Sequence, residues 1–169
     1  MQASELFERC IGVELQVKQV YTAFAKTFVG TKSAQQFFEV LAQHEQDHAG
    51  LLKGCWDAAR RGAWKAEPVS LWRDLIPRLE HDMQAIESSL SETCSLDDAL
   101  RLVIQIESSE VNDVFFGFMS ATDWNHIRDL RPFREAMDLH IAHICQHIPV
   151  LAPHLTAACQ QLRARFDQR

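Results

Sequence analysis

The chain has 169 residues, 47% of them hydrophobic and 24% charged, with a net charge of −6 at pH 7. That length fits a single domain, residues 1–169, whose core can form without staples. The 17 Lys+Arg residues form no basic cluster, which argues against nucleic acid as a partner, and no apolar run approaches the roughly 20 residues that would cross a membrane.

The N-terminus, Met1-Gln2-Ala3-Ser4-Glu5, shows neither a basic nor an apolar signal region, so a cytoplasmic protein is expected. The first predicted helix runs from about Ser4 to Val29, with Leu6, Cys10, Val13, Val17, Tyr21, Phe24 and Phe28 on one face at steps of three and four. Ser4 is its expected N-cap and Gly30 its stop. The second runs from about Ser33 to Arg61, with Phe37, Phe38, Leu41, Leu52, Cys55 and Trp56 on its face and Gly62 at its end. After a loop to Val69, Ser70 is expected to cap a helical stretch from Leu71 to Leu90, which Pro77 would split or kink. A polar break at Ser91–Ser95 precedes the third long helix, Leu96 to Met119, with Asp97 and Asp98 favourable in its first turn. The fourth runs from Pro132 to about Ile148, interrupted by Pro149 and Pro153, and a short helix follows over Leu155 to Phe166.

Only six Gly and five Pro punctuate the chain, which favours long helices over short strands. The second helix would be on the order of 40 Å long, so a third helix parallel to it requires a long return connection. Gly62 to Ser95 is long enough to provide it. The five cysteines, Cys10, Cys55, Cys94, Cys145 and Cys159, form no C-x-x-C pair and read as reduced thiols, mostly core filler. An appended rubredoxin-like iron centre, which needs two close cysteine pairs, is therefore not expected.

Each apolar stripe is interrupted in mid-helix by polar residues. Glu14 lies between Cys10 and Val17, and Glu45 and His48 lie between Leu41 and Leu52. Glu107 and Glu110 follow Val103, and His140, His143 and His147 follow Met137. A carboxylate facing a core is costly unless it is paired, protonated or bound to metal. Four helices interrupted at one depth point to a shared cation. The spacing nearly repeats: 31 residues separate Glu14 from Glu45, and 33 separate Glu107 from His140. Each half contributes a glutamate and then a pair three apart on one face, able to reach one ion.

At these residues the chain resembles the ferritin-like di-iron carboxylate proteins, which use a Glu and a Glu-x-x-His in each half of a four-helix bundle. Glu14 and Glu45-Gln46-Asp47-His48 match the first half. The second is similar to rubrerythrins, whose third helix carries Glu-x-x-Glu, here Glu107-Ser108-Ser109-Glu110. The fourth helix departs from the pattern, with His140-Ile141-Ala142-His143 where the family has Glu-x-x-His.

The resemblance implies an all-α, ferritin-like four-helix bundle with a long, partly helical crossover between the second and third helices and a short C-terminal helix. It implies two iron ions held by Glu14, Glu45, His48, Glu107, Glu110, His140 and His143. It further implies peroxidase or ferroxidase chemistry on oxygen or peroxide, a separate electron donor, and a homodimer. Tyr21, about two turns beyond Glu14, would then sit near the metals as a catalytic residue. Imidazole in place of a carboxylate also suits zinc, and carboxylates suit manganese, so a non-redox metal-binding or sensing bundle is the alternative.

A helical interaction module with a metal-free polar core is a third reading. A hemerythrin reading is suggested by the i, i+4 pairs His44/His48 and His143/His147, but the first helix supplies no histidine. His44 is expected to point away from the site, His147 to lie beyond it, and His81, His126 and His154 to lie on the surface or in loops. Asp47 and Asp138 fall off the core line, and Cys145 points away from His143.

Overall fold

The computed structural model describes residues 3–58, 60, 69–89, 94–109 and 131–168. They form α1 (Ala3–Thr27), α2 (Lys32–Ala58), α3 (Val69–Ser89), α4 (Leu96–Ser108), α5 (Arg131–Leu151), a 3-10 turn (Pro153–Leu155) and α6 (Thr156–Asp167). No strand occurs among the described residues, so the fold is all-α. None of the described helices is long and apolar enough to cross a membrane. The expected Gly62 stop and its loop, residues 110–119 of the expected third long helix, and His126 lie outside the described residues. That helix is not continuous as expected: α4 ends at Ser108, where Ser109 turns to an extended backbone with φ −73° and ψ 175°.

α1 and α2 form an antiparallel hairpin. The chain leaves α1 through Phe28, whose carbonyl accepts from the Thr31 amide at 2.8 Å. The Thr31 carbonyl then accepts the first bond of α2, from the Gln35 amide, at 2.9 Å. Near this turn Phe24, Phe28, Phe37 and Phe38 pack together, with Phe24 and Phe38 ring centroids 5.1 Å apart. At the far end Phe7 meets Trp56, 5.3 Å between centroids. Phe7, Phe24, Phe37 and Phe38 are buried and Phe28 and Trp56 half-buried; a fully buried Phe stabilises a fold by about 1.5–3 kcal/mol, so the two aromatic ends fix the register of the hairpin. Glu14 and His48 fall midway between them.

α3 packs on α1 through Ile76, Leu79, Met83 and Ile86, buried at steps of three and four. Outside this stripe Arg9 forms a two-pronged ion pair with Glu80, with Nε donating to Oε1 at 2.8 Å. Pro77 does not split α3. It is exposed and off the packed stripe, so the carbonyl that loses its donor can be hydrated. The helix starts at Val69, which puts Ser70 inside its first turn rather than at the cap.

Ser95 caps α4 in a reciprocal box. Its Oγ accepts from the Asp98 amide at 3.1 Å, and its own amide donates to Asp98 Oδ2 at 3.4 Å. α5 packs on α2 and runs on through Pro149 to Leu151. The expected interruption there does not occur, because Pro149 sits in the last turn and removes only one intrahelical donor. Pro153 then opens the 3-10 turn, and α6 folds back on α5 and α4 through Cys159 and Leu162. Arg165 Nη1 donates to the Ser108 carbonyl at 2.6 Å, placing a cation at the carbonyl end of α4.

Candidate metal centre

Five polar side chains are buried in the described core: Glu14 on α1, Glu45 and His48 on α2, Glu107 on α4 and His140 on α5. His140 is 0% exposed, and Glu107, the most exposed of the five, only 6%. Helical periodicity puts them there, because each lies on a core-facing stripe with buried apolar residues a turn away, such as Cys10, Val17, Leu41, Leu52, Val103 and Ile144.

The five meet. His48 Nδ1 lies 3.1 Å from Glu45 Oε2 and 3.7 Å from Glu14 Oε2. His140 Nε2 lies 2.9 Å from Glu107 Oε2 and 3.5 Å from Glu45 Oε1. Ligand atoms within 4.8 Å of one another form two groups, Glu14–Glu45–His48 and Glu45–Glu107–His140. Glu45 belongs to both. Its two oxygens face different imidazoles, Oε2 toward His48 and Oε1 toward His140.

Neither Glu45 Oε1 nor His140 Nε2 makes an aligned hydrogen bond, although both are buried. Buried polar atoms are ordinarily hydrogen-bonded. Close, buried atoms that converge without aligned bonds have the disposition of ligands around a cation. The donor set, carboxylate and imidazole, fits iron, zinc or manganese. Ionised, Glu14, Glu45 and Glu107 would offer up to three negative charges to a cation.

The charges of this cluster act strongly on one another. Burial pushes the Glu14 carboxyl up to about 8, against the hydrogen bond with His48, and neighbouring Glu45 adds to the rise. Burial also acts to raise Glu45, but His140 and His48 outweigh it and hold Glu45 well below the usual carboxylate range. Burial acts to lower both imidazoles, yet Glu45 and Glu14 hold His48 well above its ordinary value. Glu107 and Glu45 likewise raise His140.

Two side chains support the second group. Tyr21, 0% exposed, donates its hydroxyl proton to Glu107 Oε1 at 2.7 Å, and burial, then Glu107, pushes its own pKa well up. His44 Nδ1 lies 3.2 Å from His140 Nδ1. His44 is thus not turned away from the site, as expected from its place beside Glu45, but braces a candidate ligand. The signal that could have found it is the i, i+4 spacing of His44 and His48, whose rings lie 5.4 and 5.1 Å from that of His140.

His143 belongs to neither group. Its ring stacks on Phe37 at 5.4 Å, and burial, with His147 and His44, pushes it down to about 4. Glu110 lies outside the described residues. His147, Asp47, Asp138 and His81 are exposed, and His154 pairs with Asp97. Cys145 turns to the Cys159 carbonyl, 3.4 Å away. All five cysteines are free, with Cys10, Cys55 and Cys159 buried.

Comparison of the chain with protein-family models, with curated proteins and with solved structures finds no match.

Proposed function

We propose that the protein is a ferritin-like helical bundle holding two divalent metal ions, most naturally iron, and reacting with oxygen or peroxide. One observation carries the reading: Glu45 is shared by two three-residue ligand groups, with one oxygen turned to each. Glu14 and His48 would complete one ion's set, and Glu107 and His140 the other's. The resemblance of Glu14 and Glu45-Gln46-Asp47-His48 to the first half of the di-iron pattern supports the same assignment.

Glu14, Glu45, His48, Glu107 and His140 would hold the ions, and iron bound there would supply the electrons for reduction of oxygen or peroxide. The chain's own residues do the rest. Glu45 and Glu107 orient His140, Tyr21 holds a proton at Glu107 Oε1, and the buried shell excludes bulk water. Electrons would come from a separate donor.

A second reading, a non-redox zinc site, is favoured by His140. An imidazole stands where the resemblance calls for a carboxylate, and it makes the closest contact of the second group, 2.9 Å to Glu107.

Anaerobic Fe(II) titration followed by air separates these readings. Two ions per chain, oxidised to ferric iron with near-ultraviolet absorption, are expected. Two bound ions that stay ferrous in air and yield to zinc would favour the second reading. One ion or none would contradict the shared-glutamate assignment.

A further inference from the structure

Among the described residues, apolar side chains flank the candidate centre along the helices that build it. One turn to either side of the five polar residues lie Cys10, Val17, Leu41, Leu52, Val103 and Ile144, all buried. A hydrated divalent ion entering through such a layer must shed water to groups that offer no lone pair in return. From His140, however, a row of imidazoles continues outward. His140 is buried, His44 and His143 are half-buried, and His147 is exposed. The ring centroids step 5.4 Å from His140 to His44, 5.7 Å to His143 and 4.1 Å to His147. Phe37 lies flat against His143 and 6.0 Å from His147, giving the row a fixed wall.

Two details point to a ligand rather than to packing. His143 Nε2 is buried and makes no aligned hydrogen bond, with the Phe37 backbone as a polar neighbour of the ring. His147 donates Nδ1–H to the His143 carbonyl at 2.8 Å, which leaves the lone pair of a neutral ring on Nε2, at an exposed position. His143 and His147 are four apart on α5 and so share a face. Neither they nor His44 joins a three-residue ligand group among the described residues. An ion there has one or two protein donors, which suits passage and not residence.

We infer that His147, His143 and His44 form the route by which a divalent cation reaches the buried carboxylates, with His147 and His143 as its outer capture point. The inference rests on the two-ion reading of the centre. It assigns a task to His143, which the inner groups leave out, and to His147, which sequence periodicity places one turn beyond them.

The test is stopped-flow loading of the full chain with Co(II), read by its visible absorption, beside an equilibrium titration. The His143→Leu/His147→Leu double variant is expected to load about tenfold more slowly, a barrier increase of one decade. Release should slow by the same factor, and affinity should stay within about twofold, because a route changes both rates and neither end state. His147→Ala alone, at an exposed position that cannot unfold the core, should give a smaller slowing of the same kind. His81→Ala, exposed and distant in sequence, should load like the parent chain.

Unchanged loading in the double variant would overturn the inference while leaving the centre intact. Weakened affinity through faster release alone would also overturn it, by making these histidines ligands of the resident ion. Failure of the parent chain to bind Co(II) would overturn the two-ion reading, and this inference with it.

Discussion

The two halves of the candidate centre are built differently. The first, Glu14, Glu45 and His48, comes from one continuous hairpin whose aromatic ends set its register. The second brings Glu107 from α4 and His140 from α5 against the same Glu45, and it carries outside support, Tyr21 on the carboxylate and His44 on the imidazole. Local sequence is enough to specify the first half, since Glu-x-x-His on one helix face and a glutamate one hairpin away must meet. The second half depends on tertiary packing between distant helices, and there the chain departs from the di-iron pattern. The half that depends on packing between distant helices thus has Tyr21 and His44 set against its ligands.

Substitutions can break this comparison, beginning with the residue common to both halves. Glu45→Ala removes a ligand from each group and separates His48 and His140 from their shared counter-charge, so binding should fall from two ions to none. Metal analysis after titration reads this directly, and retention of both ions would refute a shared role. Glu14→Ala and Glu107→Ala should each cost one ion, leaving the other half loaded, which elemental stoichiometry can distinguish.

His140→Glu tests the departure itself. Restoring a carboxylate should shift preference from zinc toward manganese or iron by roughly tenfold, about 1.4 kcal/mol, in competition titrations.

The pH dependence has a definite sign. Before a cation binds, Glu14, raised to about 8, carries a proton at neutral pH, and His48 is held protonated by the carboxylates beside it. Ligation requires both to lose that proton. Affinity should therefore rise as pH increases between about 6 and 8, with proton release visible as a buffer-dependent heat in calorimetry. An affinity flat across that range would contradict the assignment of Glu14 and His48 as ligands.

Tyr21→Phe acts on one half alone and removes no ligand. Losing one hydrogen bond to Glu107 should lower stability by about 1–3 kcal/mol, measured by denaturant midpoint, and reduce the affinity of the second ion while sparing the first.

Much of this was legible in the sequence because helices write their buried face at a fixed period. The stripes through Leu6, Cys10, Val13 and Val17 and through Phe37, Phe38 and Leu41 are buried as read, and the interruptions at Glu14, Glu45, His48, Glu107 and His140 are the five buried polar residues of the described core, although Glu107 lies in the last turn of α4 and not in mid-helix. Periodicity gives a direction around one helix but not the rotation of one helix against another. His143, three after His140, shares its face by spacing, yet the packing of α5 on α2 turns it onto Phe37. His44, set aside for its place beside Glu45, is brought against His140 by that same packing. The prolines misled for a related reason. Pro77 lies on an exposed face and Pro149 in a final turn, and in both places a helix tolerates one missing donor.

The central claim is that Glu45 lies between two metal ions. The most direct measurement is a crystal structure of iron- or zinc-loaded protein with anomalous scattering collected at the metal edge. The account predicts two peaks about 3.5–4 Å apart, one beside Glu14 and His48 and one beside Glu107 and His140, with a Glu45 oxygen on each. A single peak, or peaks that leave Glu45 on one ion or none, would contradict it.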